Sequence, residues 1–137
     1  MVPFHELRIG DIVLIEFNGQ RTEGEVIDKA DADRLVCVDN EAQAFWYGSE
    51  ELYPIPLDEN QLLKFGFEKQ VQPDGSVKYL RGPFRILLHV PGSFAHFEMW
   101  YREDRRHIIE HISVHQLQNH YHQMTKVDLV RGVGAHH

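Results

Sequence analysis

A single cysteine, Cys37, leaves the chain with no partner for an intramolecular disulfide. Its place in the run Leu35-Val36-Cys37-Val38 marks it as a small buried hydrophobe and suits a reducing compartment. Long apolar runs are missing as well. Ile12-Val13-Leu14-Ile15 and Ile86-Leu87-Leu88 are far too short to span a bilayer, and the N-terminus lacks a charged region followed by an apolar one. No membrane partner and no export signal are therefore expected, and a cytoplasmic location follows. There is no Gly-rich phosphate loop and no G-x-S-x-G elbow, and Cys37 has no histidine paired with it in sequence, so catalysis by those routes is not indicated. Basic residues are scarce in the first half: residues 1–60 carry fourteen acids against four Arg and Lys, a balance of −10. Such a half repels phosphate backbones and excludes general duplex binding. Residues 61–137 carry seven acids against ten bases, a balance of +3, with nine of the ten histidines, and suit a small anion.

What is present suffices for a globular α+β protein. Hydrophobic residues make up 42% of the 137 and aromatics 11%, enough for one sizeable core or two small ones. Pro54 to Glu68 reads as a capped helix between two β-rich halves. Pro56 stops the preceding strand, Asp58 caps the first free N–H groups, Leu62, Leu63 and Phe65 form an apolar stripe, and Gly66 is the stop.

Before this helix, Gly10-Asp11 turns into a strand, Asn18-Gly19 marks a two-residue hairpin, and Arg21–Asp28, Arg34–Asp39 and Ala44–Tyr47 continue a meander. Short strands at this spacing predict a curled sheet or small barrel of the SH3-like kind over residues 1–53. Residues 54–66 then form the linking helix, and 67–137 a second antiparallel sheet covered by a C-terminal helix, the whole making one compact structural unit. That second half pairs Phe67–Val71 with Val77–Leu80, and Phe84–Val90 with Phe94–Tyr101 around Pro91-Gly92. In this register Phe84, Ile86, Leu88 and Val90 share a buried face with Ala95, Phe97, Met99 and Tyr101, while Arg85 stands opposite Glu98 on a mixed face. Arg102 to Arg106 reads as a charged loop and His107 to Ile112 as a last strand. Ser113 caps a helix whose buried stripe is Val114, Leu117, Tyr121 and Met124, with His115, His120 and His122 mostly off it. The tail from Lys126 adds a short strand through Leu129 and Val130, and Gly132 to His137 reads as frayed.

His107-Ile108-Ile109-Glu110-His111 matches the H-x-x-E-H pattern of one class of zinc peptidases, which needs both histidines on one helix face. Three isoleucines in six residues read better as a strand, on which His107 and His111 share one face and Glu110 points to the other. A looser cluster of His111 and His115 with His89 and His96 keeps a metal-dependent hydrolase as an alternative. No metal or cofactor is assigned.

Leu7-Arg8-Ile9-Gly10, Pro54-Ile55-Pro56-Leu57 with Leu62 to Glu68, and Val114-His115-Gln116-Leu117-Gln118-Asn119 resemble a family of small uncharacterised proteins of Bacteroidetes genomes, phages and mobile elements. The resemblance spans most of the chain and implies a short strand running into the His-Gln-Leu-Gln-Asn helix, but no activity or catalytic residues. Its context implies a phage or mobile-element accessory protein that meets host machinery, including in an anti-defence role. His120 and His122 depart from that family's apolar or aromatic positions.

The preferred expectation is thus a non-catalytic binding protein that engages a host protein or sequesters a small nucleotide-like signal. The alternatives are the hydrolase and a structural or assembly role, and homo-oligomerisation stays open. The expected site is Arg85, His96, Glu98, Trp100, Arg102, Arg105 and Arg106, where arginines supply planar donors and Trp100 a stacking surface. Trp46, Tyr47 and His115 are secondary candidates.

Overall fold

The computed structural model describes residues 1–131, so the expectation of a frayed tail over 132–137 lies outside the described residues. The described residues are α+β: two five-stranded antiparallel sheets and two α-helices, of which the later in the chain is the longer. It divides into two compact units, residues 1–55 with 113–119, and 56–112 with the remainder from 120.

In the first unit the strands are β1 (Ile12–Phe17), β2 (Gln20–Ala30), β3 (Leu35–Asp39), β4 (Ala44–Gly48) and β5 (Leu52–Tyr53), in the order β4-β3-β2-β1-β5. The β1–β2 turn uses Asn18 and Gly19, both at positive φ (54° and 77°), and Phe17 pairs with Gln20, as a two-residue hairpin requires. Only the 3-10 turn Ser49–Glu51 joins β4 to β5, yet these strands lie at opposite ends of the order. A flat sheet would hold them about 19 Å apart, four strand spacings, whereas the four residue steps from β4 to β5 reach at most about 14 Å fully extended. The sheet must curl. Val13, Val26, Val36, Val38 and Leu52 are fully buried inside the curl.

In the second unit β6 (Glu68–Val71), β7 (Val77–Arg81), β8 (Phe84–Leu88), β9 (Phe97–Tyr101) and β10 (Asp104–Ile108) form a simple meander in the order β10-β9-β8-β7-β6. Helix α1 (Glu59–Lys64) belongs to this unit; Asp58 Oδ1 accepts from the Gln61 N–H at 2.9 Å, and Gly66 follows the helix at φ +86°. Leu62 and Phe65 are fully buried, but Leu63 is 45% exposed and is not part of the stripe, because one residue step turns it about 100° away from Leu62.

Four further expectations are corrected. The β8–β9 hairpin is shorter than predicted, and its register is shifted by two: Arg85 faces Trp100, and Glu98 faces Leu87. The cause is Phe94, which leaves the strand path to bury its ring against Phe97 and Tyr79, at centroid distances of 6.0 and 6.3 Å, so that residues 89–96 form a wide loop with Val90 exposed. Next, only Arg102 and Glu103 turn between β9 and β10, and Arg105 and Arg106 are strand residues. Finally, β10 stops at Ile108, so His111 shares no strand face with His107; its Nε2 lies 3.0 Å from the Leu57 carbonyl and its ring stacks on Phe94. Leu129 is buried without forming a strand.

Helix α2 (Val114–Thr125) buries Val114, Leu117, Tyr121 and Met124 as the spacing predicts, with Tyr121 on Phe84 at 4.8 Å between ring centres. Its N-terminal half carries a wider buried face. Gln118 Oε1 accepts from the Ile12 N–H and its Nε2 donates to the Gly10 carbonyl, both at 2.8 Å, while Asn119 Nδ2 donates to the Glu6 carbonyl. The segments 7–10 and 114–119, noted above for their resemblance, thus meet within the first unit.

Candidate functional site

β9 lies between β8 and β10, and alternation divides its side chains between two faces. Phe97 and Met99 go to the buried face with Phe84, Ile86, Leu88 and Ile108. The opposite face is built in two cross-strand rows: Arg85–Trp100–Arg105, and beside it Leu87–Glu98–His107.

In the first row both guanidinium groups lie over the Trp100 ring, Arg105 at 4.1 Å and Arg85 at 5.3 Å from its centre. Each cation sits where the negative face of the indole attracts it. Among the described residues, neither guanidinium makes a hydrogen bond to another side chain or carbonyl, so their planar N–H donors remain unspent; Arg105 Nε reaches only to 3.9 Å from Glu98 Oε1.

In the second row Glu98 is 7% exposed. His89 Nε2 bonds its Oε2 at 2.8 Å, Trp100 Nε1 donates to its Oε1 at 3.4 Å, and His107 Nε2 stands 3.6 Å away. Burial pushes its carboxyl upward, but the hydrogen bonds from His89 and Trp100, with the charges of His107 and His89, hold it on balance below the ordinary carboxylate value. Glu98 is therefore a fixed carboxylate that aligns the indole, not an acid near neutrality.

The structure thus brings together Arg85, Glu98, Trp100 and Arg105 from the predicted set. His96 is exposed in the loop before β9. Arg102 occupies the tight turn at φ 56°, with its guanidinium over the Tyr101 ring. Arg106 projects to the opposite face beside Met99, where its Nη1 donates to His120 Nδ1 at 2.9 Å and Gln123 Oε1 at 2.8 Å. Its Nη1 donors are committed there, and burial together with the Arg106 charge lowers the His120 pKa. Of the secondary candidates, Tyr47 is buried in the core of the first unit, and Trp46 is half exposed on β4. His115 is 2% exposed, so it belongs to the buried face of α2; its Nε2 lies 3.0 Å from Glu6 Oε1 and its Nδ1 3.0 Å from Ser113 Oγ. A carboxylate only accepts, so Nε2 carries the proton and Nδ1 accepts from Ser113. With its hydroxyl engaged, Ser113 is joined to the helix instead through its own N–H, which donates to Gln116 Oε1.

His89 and His107 were missed as site residues. His89 shares the parity of Arg85 and was legible on the mixed face, whereas the parity of His107 with Arg105 was hidden because residues 102–106 read as a loop rather than as the start of β10.

The H-x-x-E-H motif has no helix beneath it: His107 is in β10, and Glu110 and His111 follow the strand. Among the described residues no group of three or more His, Cys, Asp or Glu is placed to hold a metal ion, and no helix is long and apolar enough to cross a membrane. Comparison with protein-family models, with curated proteins and with solved structures finds no match.

Proposed function

We propose that the chain is a non-catalytic binding protein whose Arg85–Trp100–Arg105 row grips an acidic group on a protein partner. The observation that carries this is the pair of guanidiniums held over one indole with their hydrogen-bond donors unspent. Arg and Trp are the residues most enriched where binding energy concentrates, and a guanidinium fork matches carboxylate or phosphate geometry. Around this row the rim is solvent-accessible: the side chains of Arg105, His89 and His107 are 54%, 61% and 69% exposed. Small-molecule sites enclose most of their ligand, whereas an open strand face suits another protein's surface. A nucleotide-like ligand is the second reading, favoured by the aromatic ring; against it, the guanidiniums already lie over that ring. The proposed setting is that of a phage or mobile-element protein meeting a host protein in the cytoplasm, an anti-defence role included.

The test is calorimetric titration of the wild type and of an Arg85→Ala, Arg105→Ala variant with an Asp-rich peptide and with a nucleoside monophosphate. Binding of the peptide that is weakened by salt and lost in the variant supports the reading. Binding of the nucleotide alone moves it to the second reading, and equal binding by both proteins overturns it.

A further inference from the structure

The two sheets have four edge strands, and one is unlike the others. Edge strands offer unpaired backbone groups, and proteins usually guard them by shortness or by charge. β5 has two residues, β6 begins Glu68-Lys69, and β10 contains Asp104, Arg105 and Arg106. β4 is five residues long, Ala44-Phe45-Trp46-Tyr47-Gly48, without a charge, and it leaves Phe45 48% and Trp46 47% exposed.

Which backbone groups of β4 face outward follows from its hairpin. The Asn40 N–H donates to the Gln43 carbonyl at 3.1 Å, making these two a hydrogen-bonded pair. Bonded and non-bonded pairs alternate along an antiparallel ladder, so Phe45 with Val38 and Tyr47 with Val36 carry the bonds to β3. Ala44, Trp46 and Gly48 then turn their N–H and C=O groups away from β3. Gly48 conforms: its N–H donates to Glu51 Oε1 at 3.2 Å. Among the described residues, the outward groups of Ala44 and Trp46 have no partner.

The charge around this edge is mostly negative, because the two bases nearby, Lys29 and Arg34, lie over the Phe4 ring and Lys29 also donates to the Leu7 carbonyl. Asp39 and Glu41 flank the start of β4, Glu50 and Glu51 follow its end, and Asp28 pairs with Cys37, which in turn pairs with Trp46. The local field is felt by the chain itself: beyond burial, Asp28 and Asp39 push the Cys37 thiol pKa up, and Glu51 does the same to the Tyr47 hydroxyl.

We propose that the free edge of β4 is a docking surface that takes an extended, basic peptide segment of a partner protein by strand addition. Backbone groups of Ala44 and Trp46 supply the ladder, the side chains of Phe45 and Trp46 supply apolar contacts on the two faces, and the flanking carboxylates select Lys or Arg over Asp or Glu. A second copy of this chain is a poor occupant, because edge-to-edge pairing would bring the same five carboxylates together. This surface is separate in residues and opposite in charge from the Arg85–Trp100–Arg105 row.

The experiment is an NMR titration of the isotope-labelled full chain with a short, end-blocked peptide of alternating Lys and Val. Its Glu and Val counterpart, and a Lys and Val peptide with alternate backbone nitrogens methylated, serve as comparisons. The Lys peptide is expected to shift the Ala44 and Trp46 amides and slow their exchange, to bind at least about tenfold tighter than the Glu peptide, and to lose about tenfold in the Trp46→Ala variant. Methylation should abolish binding, and the Arg85→Ala, Arg105→Ala variant should bind unchanged, which keeps this outcome distinct from the site on β8 to β10. Equal binding of the Lys and Glu peptides, binding of the methylated peptide, shifts confined to other residues, or no binding would each overturn the proposal. So would a free chain that is dimeric with the Ala44 and Trp46 amides already protected.

Discussion

Arg105 lays its guanidinium over the indole of Trp100, 4.1 Å from the ring centre, and the two residues are direct partners across β10 and β9. Because the backbone ladder sets their spacing, the guanidinium is already ordered before any ligand arrives, and less side-chain entropy remains to be lost on binding. At an exposed site such a contact contributes about 0.5–1 kcal/mol. A double-mutant cycle with Arg105→Ala and Trp100→Ala, read by urea unfolding, should give a coupling of that size. A coupling near zero would mean that the guanidinium is not held on the ring in solution.

Glu98 carries a pH signature of its own. Its folded carboxyl sits below the ordinary value of about 4.5, so between the two values the unfolded chain binds the proton and the folded chain does not. The stabilisation is fully present above about pH 4.5 and is lost as the pH falls toward the folded value. Stability measured on the acid limb should therefore fall less steeply in Glu98→Gln than in the wild type. If the two limbs superimpose, His89 and Trp100 do not hold the carboxylate as the geometry indicates.

Much of this site is legible in the sequence, and the reason it is incompletely so is local. Alternation alone placed Glu98 and Trp100 on one face of β9, since a strand period of two needs no tertiary information, and an even-numbered hairpin loop set Arg85 on that face with them. Which residue stood beside which depended on where the β8–β9 hairpin closed, and that was decided by Phe94 burying its ring against Phe97 and Tyr79. Likewise Asn18-Gly19 and Asp58 announced themselves by turn and cap chemistry, whereas the roles of Gln118 and Asn119 rest on bonds to residues more than a hundred positions away.

His115 predicts a second pH effect, at higher pH. Burial holds its imidazole below the ordinary value of about 6.5, with Glu6 only partly offsetting this, and His120 is lowered in the same direction. Above about pH 6.5 both states are neutral and the stability is fully present; as the pH falls through that value the unfolded chain takes up protons that the folded chain refuses. Unfolding free energy should thus drop between about pH 7.5 and about pH 5.5. His115→Gln should be less stable at the upper pH, through loss of the bonds to Glu6 and Ser113, yet show a shallower drop. An unchanged drop in both His115→Gln and His120→Gln would remove these residues as its source.

Gly24 lies in the middle of β2. It is buried, and its backbone conformation is one any residue adopts, so its small size must serve packing. A Cβ there would stand 2.5 Å from Val38 Cγ1, 3.0 Å from Ile15 Cδ1 and 3.2 Å from the Asp39 carbonyl oxygen. Two of these neighbours are core side chains of the curled sheet, with little room to retreat in an interior at crystal-like density. Gly24→Ala should therefore cost about 1–3 kcal/mol by overpacking, even though alanine is otherwise the better strand residue. The cause is separable from a backbone effect. Val38→Ala alone should destabilise by opening a cavity, whereas the Gly24→Ala, Val38→Ala pair should be more stable than the sum of the two single losses, because the second change makes room for the first. Strict additivity in urea unfolding would mean that the added methyl does not meet Val38, and that the curl of the first sheet is looser than its packing indicates.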